Sequence, residues 1–240
     1  MGELAIVVDT ETGSTDITKA AIVQIAGVVV TPKGNFNTLM STYCKPDPKK
    51  VIEDGAIEVH GITPDMYKWS PKQSWALQFL DLAINTVAET NEVFLVGHNA
   101  DRYDLPLMQL SDPKAKFDQY PSIDTLLWSR RLYPEGEHKL GLLYTDLFDK
   151  PAVEAHDAAA DCYMCGEILL HMLKETGMTM MEAAIYLDKP RPYKIFPFGK
   201  YKGQPLDKVP KAYLIWVDKN FNDPDIDMQA TLHKYLVEEK

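Results

Sequence analysis

Leu4-Ala5-Ile6-Val7-Val8-Asp9-Thr10-Glu11-Thr12-Gly13 lies near the start of a chain of 240 residues. Its apolar half is rich in β-branched residues, which suit a covered, pleated surface, and it predicts a buried strand. Its acidic half sets Asp9 and Glu11 two positions apart. Strand side chains alternate between faces, so both carboxylates project the same way from the end of that strand. Their Cα atoms would stand roughly 6–7 Å apart, and at an effective dielectric near 20 the two charges repel by roughly 2–3 kcal/mol.

Working outward, residues 20–30 form a second apolar run that stops at the turn composition Thr31-Pro32-Lys33-Gly34. Residues 36–44 follow as a third strand, so the first three strands predict an antiparallel meander. A helix is predicted over 73–87, opened by Ser70-Pro71. The short apolar run 93–96 after it predicts a strand parallel to the first. Helices are predicted over 105–110, 124–132, 140–148 and 158–174, the last stopped by Gly177. Strands first, then strand–helix alternation, give an α/β fold with a mixed sheet flanked by helices. Pro190 and Pro192 break the chain. The expected division is a body over 1–178, a helix and linker over 179–193, and a small α+β domain over 194–240. That last part reads as a short hairpin around Gly199–Gly203 and one or two helices, with Phe196, Phe198 and Trp216 in its core.

The composition is that of a soluble globular protein, with 45% hydrophobic and 25% charged residues. No apolar run approaches the roughly 18 residues of a membrane span. A signal peptide's basic and apolar segments are absent from the first residues, and three cysteines make no disulfide framework. These features predict a reducing, cytoplasmic setting and no membrane partner. The net charge of −10 is uneven: residues 189–219 carry 8 basic and 2 acidic residues, a net of +6. An acidic body with a basic appendage is expected. Cys162 and Cys165 have no second pair to complete a zinc site and read as small core residues.

Acidic residues recur at the edges of buried elements. The strand at 93–96 runs into Gly97-His98-Asn99-Ala100-Asp101-Arg102-Tyr103-Asp104, and His156-Asp157-Ala158-Ala159-Ala160-Asp161 opens the 158–174 helix. The three alanines let that helix approach its neighbour closely, bringing Asp161 with it. Asp9, Glu11, one of Asp101 or Asp104, and Asp161 thus form a set of four carboxylates. All-oxygen clusters of this kind suit hard cations such as Mg²⁺ or Mn²⁺. Two such ions would serve an in-line displacement at a phosphodiester. His156, beside this set, is the natural general base, since an imidazole can take a proton from water.

This set resembles the DEDDh 3′→5′ exonucleases, a proofreading-exonuclease family with an RNase H-like fold. The D-x-E motif matches Asp9-Thr10-Glu11, and G-H-N-x-x-x-[FY]-D matches Gly97-His98-Asn99 with Tyr103-Asp104. H-x-A-x-x-D matches His156 through Asp161, and Ile57 to Thr63 resembles the family's I-H-G-I-T segment. The resemblance favours Asp104 over Asp101, because an aromatic precedes it. Thr12-Gly13 is one residue shorter than the common D-x-E-T-T-G.

The resemblance implies an RNase H-like mixed sheet and a metal-dependent hydrolase releasing nucleoside 5′-monophosphates from a DNA 3′ end, single-stranded or duplex. RNA is the alternative polymer, and a non-catalytic nucleic-acid-binding module on the same fold is the alternative class. Asp9, Glu11, Asp104 and Asp161 would hold two divalent ions, His156 with Glu11 would be catalytic, and Thr12, His60 and Asn99 would meet the substrate. The stretch 196–205 resembles the C-terminal part of exonuclease X-type enzymes, with Lys200, Tyr201 and Lys202 as an exposed face for DNA. A homodimer is compatible with this reading.

Overall fold

The computed structural model describes residues 2–152, 156–221 and 224–238. Strands β1 (Glu3–Thr12), β2 (Ile22–Val30) and β3 (Phe36–Tyr43) run as an antiparallel meander. Helices α1 (Asp54–His60), α2 (Pro64–Tyr67) and α3 (Gln73–Ala88) lead to β4 (Glu92–Gly97), which returns parallel to β1. After α4 (Asp104–Ser111), a three-residue β5 (Ser122–Asp124) pairs parallel with β4. Then come α5 (Thr125–Leu132), α6 (Leu140–Phe148), α7 (Ala158–Thr176), α8 (Met180–Leu187), α9 (Lys211–Asn220) and α10 (Ile226–His233). The sheet order is β3-β2-β1-β4-β5, so β1 is central.

The mixed sheet and its meander are as expected. The sequence pattern did not announce α1, α2 or β5. α1 buries no side chain, so it carries no apolar stripe to read, and β5 is too short for a period. Asp124 closes β5 and caps α5 rather than lying inside a helix.

Alternation along β1 divides the core. Ala5 and Val7 face the layer built by α5 to α8, while Ile6 and Val8 face α3 and α4. The α7 layer sits close because its inner face is small: Ala158, Cys162 and Cys165 are buried. A Cβ at Gly166 would stand 2.6 Å from the Phe36 ring. The cysteines are free thiols, and the Cys162 thiol approaches the Val7 carbonyl at 3.5 Å. Among the described residues no helix is long and apolar enough to cross a membrane.

A third core gathers Tyr193, Phe196, Leu206, Val209, Leu214, Val217, Met228 and Leu232. The expected hairpin is a tight turn in which Phe196 N–H donates to the Gln204 carbonyl at 2.8 Å and Gly203 N–H to the Phe196 carbonyl at 2.9 Å. Of the three aromatics expected inside, only Phe196 is fully buried. Phe198 is half-buried, and Trp216 is 50% exposed because α9 turns Leu214 and Val217 inward instead.

Two buried ion pairs join this unit to the body. Arg131 bridges Asp227 at 2.7 Å, with side chains 4% and 1% exposed, and Arg130 meets Asp225 at 2.6 Å. Arg131 also donates to the carbonyls of Tyr186, at 2.6 Å, and Lys189, at 3.0 Å. Removing one partner strands the other as a buried charge, a loss of about 3–5 kcal/mol. Asp227→Ala should therefore lower unfolding stability by that amount in a denaturant titration. A loss below about 1 kcal/mol would show that the pair is not what joins the two parts.

Candidate active site

Near the end of β1, Asp9 lies opposite Ala26 of β2, and Glu11 lies opposite Gln24. Both share the parity of Ala5 and Val7, so they face α7. Gln24 fixes that approach: its amide donates to Asp157 Oδ2 at 2.8 Å and its carbonyl oxygen accepts from Ala158 N–H at 3.3 Å. Asp157 Oδ1 then caps α7, accepting from the N–H groups of Ala159 and Ala160 at 3.1 Å each. Asp161 follows in the first turn, buried against the sheet. His156 N–H donates to Asp161 Oδ2 at 3.3 Å from a left-handed backbone, φ +73°. Such a conformation in a non-glycine residue marks a position held by its surroundings. One ligand atom each from Glu11, His156 and Asp161 lies within 4.8 Å of the others.

Asp104 enters from the opposite layer at the start of α4. Its Oδ1 accepts from Thr10 N–H at 3.0 Å and from Thr10 Oγ1 at 2.5 Å. Asp101 is placed elsewhere: it is exposed, and its N–H donates to Asp124 Oδ2 at 3.4 Å. Asn99, at φ +76°, turns the chain straight after β4, and its N–H donates to Asp124 Oδ1 at 3.0 Å.

The shortened edge after Glu11 is built around Tyr103. The Tyr103 hydroxyl donates to the Ser14 carbonyl and pairs with Thr12 Oγ1 at 2.5 Å. The β1–β2 register shifts between Glu11 and Thr12, a bulge that re-aims the strand end. Gly13 is required next, since a Cβ there would fall 2.2 Å from the Val51 carbonyl oxygen. His60 ends α1, where its Nδ1 accepts from Ile62 N–H at 2.9 Å. Its ring lies within electrostatic reach of His156 and beside the Thr12 backbone, and burial, then the His156 charge, lowers its pKa.

Lys200, Tyr201 and Lys202 stand apart from the carboxylates, on the C-terminal unit. Lys200 is exposed, while Tyr201 and Lys202 are half-buried rather than free. Lys202 Nζ pairs with Glu137 at 2.8 Å. The structure adds Thr10, Gln24 and Asp157 to the residues that build the site. Gln24 carried a usable signal: it is the only polar residue in the otherwise apolar IVQIAGVVV of β2.

Burial and mutual repulsion raise the pKa of every carboxyl in the cluster. Asp9 rises through burial first, then through Asp104, Asp161 and Glu11. Glu11 is pushed to about 7 by burial and then by Asp161 and Asp104. Asp104 and Asp161 are each pushed to about 6, again chiefly by burial. An all-carboxylate set with one imidazole beside it fits a hard divalent cation, which would relieve the repulsion. The stability Glu11 contributes as a protonated acid is present below its ordinary value of 4.5 and is lost as pH rises through about 7. Metal-free protein should therefore melt lower at about pH 8 than at about pH 5.5, and Mg²⁺ should raise the midpoint more at the higher pH. Glu11→Gln should flatten that dependence. A metal-free midpoint that is the same in Glu11→Gln and parent across this range would contradict it.

Comparison with known proteins places the chain in a family. The family described as "Exonuclease" matches residues 6–169, and a family described as "Putative quorum-sensing-regulated virulence factor" matches residues 193–234. Exodeoxyribonuclease 10 of Escherichia coli (strain K12) is 28% identical over 241 residues, covering 96% of this chain and 97% of that protein. DNA polymerase III subunit epsilon of Buchnera aphidicola subsp. Acyrthosiphon pisum is 29% identical over 178 residues, covering 70% of this chain and 71% of its own. The structure of Exonuclease X in complex with 5′ overhanging duplex DNA is 26% identical, with a TM-score of 0.56 over 75% of this chain and 98% of that one. E. coli Exonuclease I bound to a dT13 oligonucleotide, at 20% identity, TM-score 0.60, and 73% and 42% coverage, shares the RNase H-like fold. The chain thus belongs to the exonuclease family, among the DEDDh enzymes, and is a 3′→5′ exonuclease that hydrolyses phosphodiester bonds.

Proposed function

We propose that this enzyme is a divalent-metal-dependent exodeoxyribonuclease that removes nucleoside 5′-monophosphates from DNA 3′ ends. The observation that carries this reading is the convergence of Asp9, Glu11, Asp104 and Asp161 beside His156. Those four carboxylates would hold two Mg²⁺ or Mn²⁺ ions, which supply Lewis-acid polarisation and charge neutralisation at phosphorus. His156 is the general base: its exposed imidazole takes the proton from the attacking water. The hydrogen bond from its backbone to Asp161 and its constrained φ hold the ring at the cluster. Asp104 is kept in position by the two Thr10 donors.

Thr12, pinned by Tyr103, and His60 beside it would border the terminal nucleotide, with Asn99 at the end of β4. Residues 1–178 would be the catalytic body, 179–193 the connection, and 194–240 an accessory unit offering Lys200 and Tyr201 toward the strand, with Lys202 held by Glu137. Support for DNA comes from the named exodeoxyribonuclease, whose similarity runs through the C-terminal unit as well.

The test uses matched 5′-labelled DNA and RNA strands, single and paired, with Mg²⁺, Mn²⁺ or EDTA. A ladder shortening from the DNA 3′ end, absent with EDTA and in Asp9→Ala, is expected. Metal-dependent cutting of RNA alone would overturn the DNA assignment, and no cutting would overturn the enzyme reading. His156→Ala should lower the single-turnover rate by roughly 10²–10⁴-fold. A loss under about threefold would remove His156 from the base role.

A further inference from the structure

The C-terminal unit carries an aromatic ladder whose inner rings, Tyr201 and Tyr213, rest against its core while the outer one, Trp216, does not. While α9 buries Leu214 and Val217, Tyr213 and Trp216 lie one turn apart on an adjoining face. Their rings stack at 5.6 Å with 20° between planes, and Tyr201 meets Tyr213 edge-on at 4.6 Å. Gly199, at φ +64°, turns the chain next to this ladder, and a Cβ there would stand 2.9 Å from the Tyr213 hydroxyl. The turn and the ladder are therefore shaped to each other. Trp216 nevertheless leaves half its surface in water.

The surroundings are basic. Lys200 Nζ lies 5.4 Å from the centre of the Tyr201 ring, Lys211 opens α9, and Lys219 follows Trp216 by one turn, all three exposed. Residues 189–219 carry a net charge of +6 against −10 for the whole chain. Half-exposed rings among cations complement a polyanion whose planar bases are free to stack, which describes a single strand and not a duplex. The unit is also tied toward the catalytic edge. Lys202 grips Glu137 at 2.8 Å, and the carbonyl of the adjoining His138 accepts from His98 Nε2 at 2.6 Å. His98 directly follows β4, whose last residue, Gly97, lies against Val8, the residue before Asp9.

We propose that Trp216, stacked on Tyr213, which Tyr201 in turn meets edge-on, is a platform for unpaired nucleobases, with Lys200, Lys211 and Lys219 holding the phosphates of that strand. It rests on the reading that this chain acts on nucleic acid. Lys202 then serves as an anchor to Glu137 rather than as a phosphate contact.

The test measures fluorescence anisotropy of a labelled oligo-dT strand and of a blunt duplex on the 240-residue chain carrying Asp9→Ala, which keeps the probes intact. Adding Trp216→Ala should weaken single-strand binding at least about fivefold and leave the slope of affinity against salt unchanged. Trp216→Phe should recover most of that loss, and duplex binding should shift less than about twofold. Lys200→Glu with Lys211→Glu should flatten the salt slope for the single strand. Equal loss on both probes, or none on the single strand, would overturn the platform whether or not the parent chain shortens DNA. Binding to the single strand that depends on Trp216, in a chain that cuts no polymer, would leave the platform standing and remove the exonuclease substrate reading.

Discussion

Four carboxylates held close together in a mostly buried setting are the constraint on which this structure turns. Each would ionise at ordinary pH if alone in water. Here burial and mutual repulsion lift Glu11 to about 7 and Asp104 and Asp161 to about 6. The fold must supply enough apolar packing and hydrogen bonding to hold them together. It does so through the parity of β1, which commits Asp9 and Glu11 to the face covered by α7. The Gln24–Asp157–Ala158 contacts then fix where α7 begins. Small residues along α7 complete the approach, and Thr10 draws Asp104 in from the opposite layer. A bound divalent cation would turn the same arrangement from a liability into a favourable site.

Much of this was legible from residues 4–13. β-branched apolar residues ending in D-x-E announce a strand whose charges share one face, and β1 does this at the centre of the sheet. The spacing of His156 and Asp161, with alanines between them, likewise foretold a helix start pressed against that strand. The choice between Asp101 and Asp104 could not be read from spacing, because it depends on a left-handed turn at Asn99 that gives the Asp101 backbone N–H to Asp124 and the Asp104 carboxylate to Thr10. Nor could the Thr12-Gly13 edge, where a bulge and the Tyr103 hydroxyl shape the strand end through contacts some ninety residues apart in sequence. Trp216 shows the limit from the other side. The run Tyr213 to Val217 is apolar throughout, and only the packing of α9 reveals that Leu214 and Val217 enter the core while the tryptophan stays out.

The C-terminal unit depends on a different kind of interaction. Its core is small, and it is joined to the body by arginines of α5 paired with aspartates just before and within α10. Pairs this buried are sensitive to geometry, so they specify one docking arrangement more than they add net stability. The contacts from Lys202 through Glu137 and His138 to His98 extend the same linkage toward the end of β4.

The central claim is that the carboxylates are mutually destabilised until a divalent cation joins them. The most direct measurement follows the Glu11 side-chain carboxyl carbon by NMR through a pH titration, with and without Mg²⁺. The account predicts a midpoint of about 7 in metal-free protein and one below the ordinary 4.5 with Mg²⁺. A metal-free midpoint near 4.5 that Mg²⁺ does not move would contradict it.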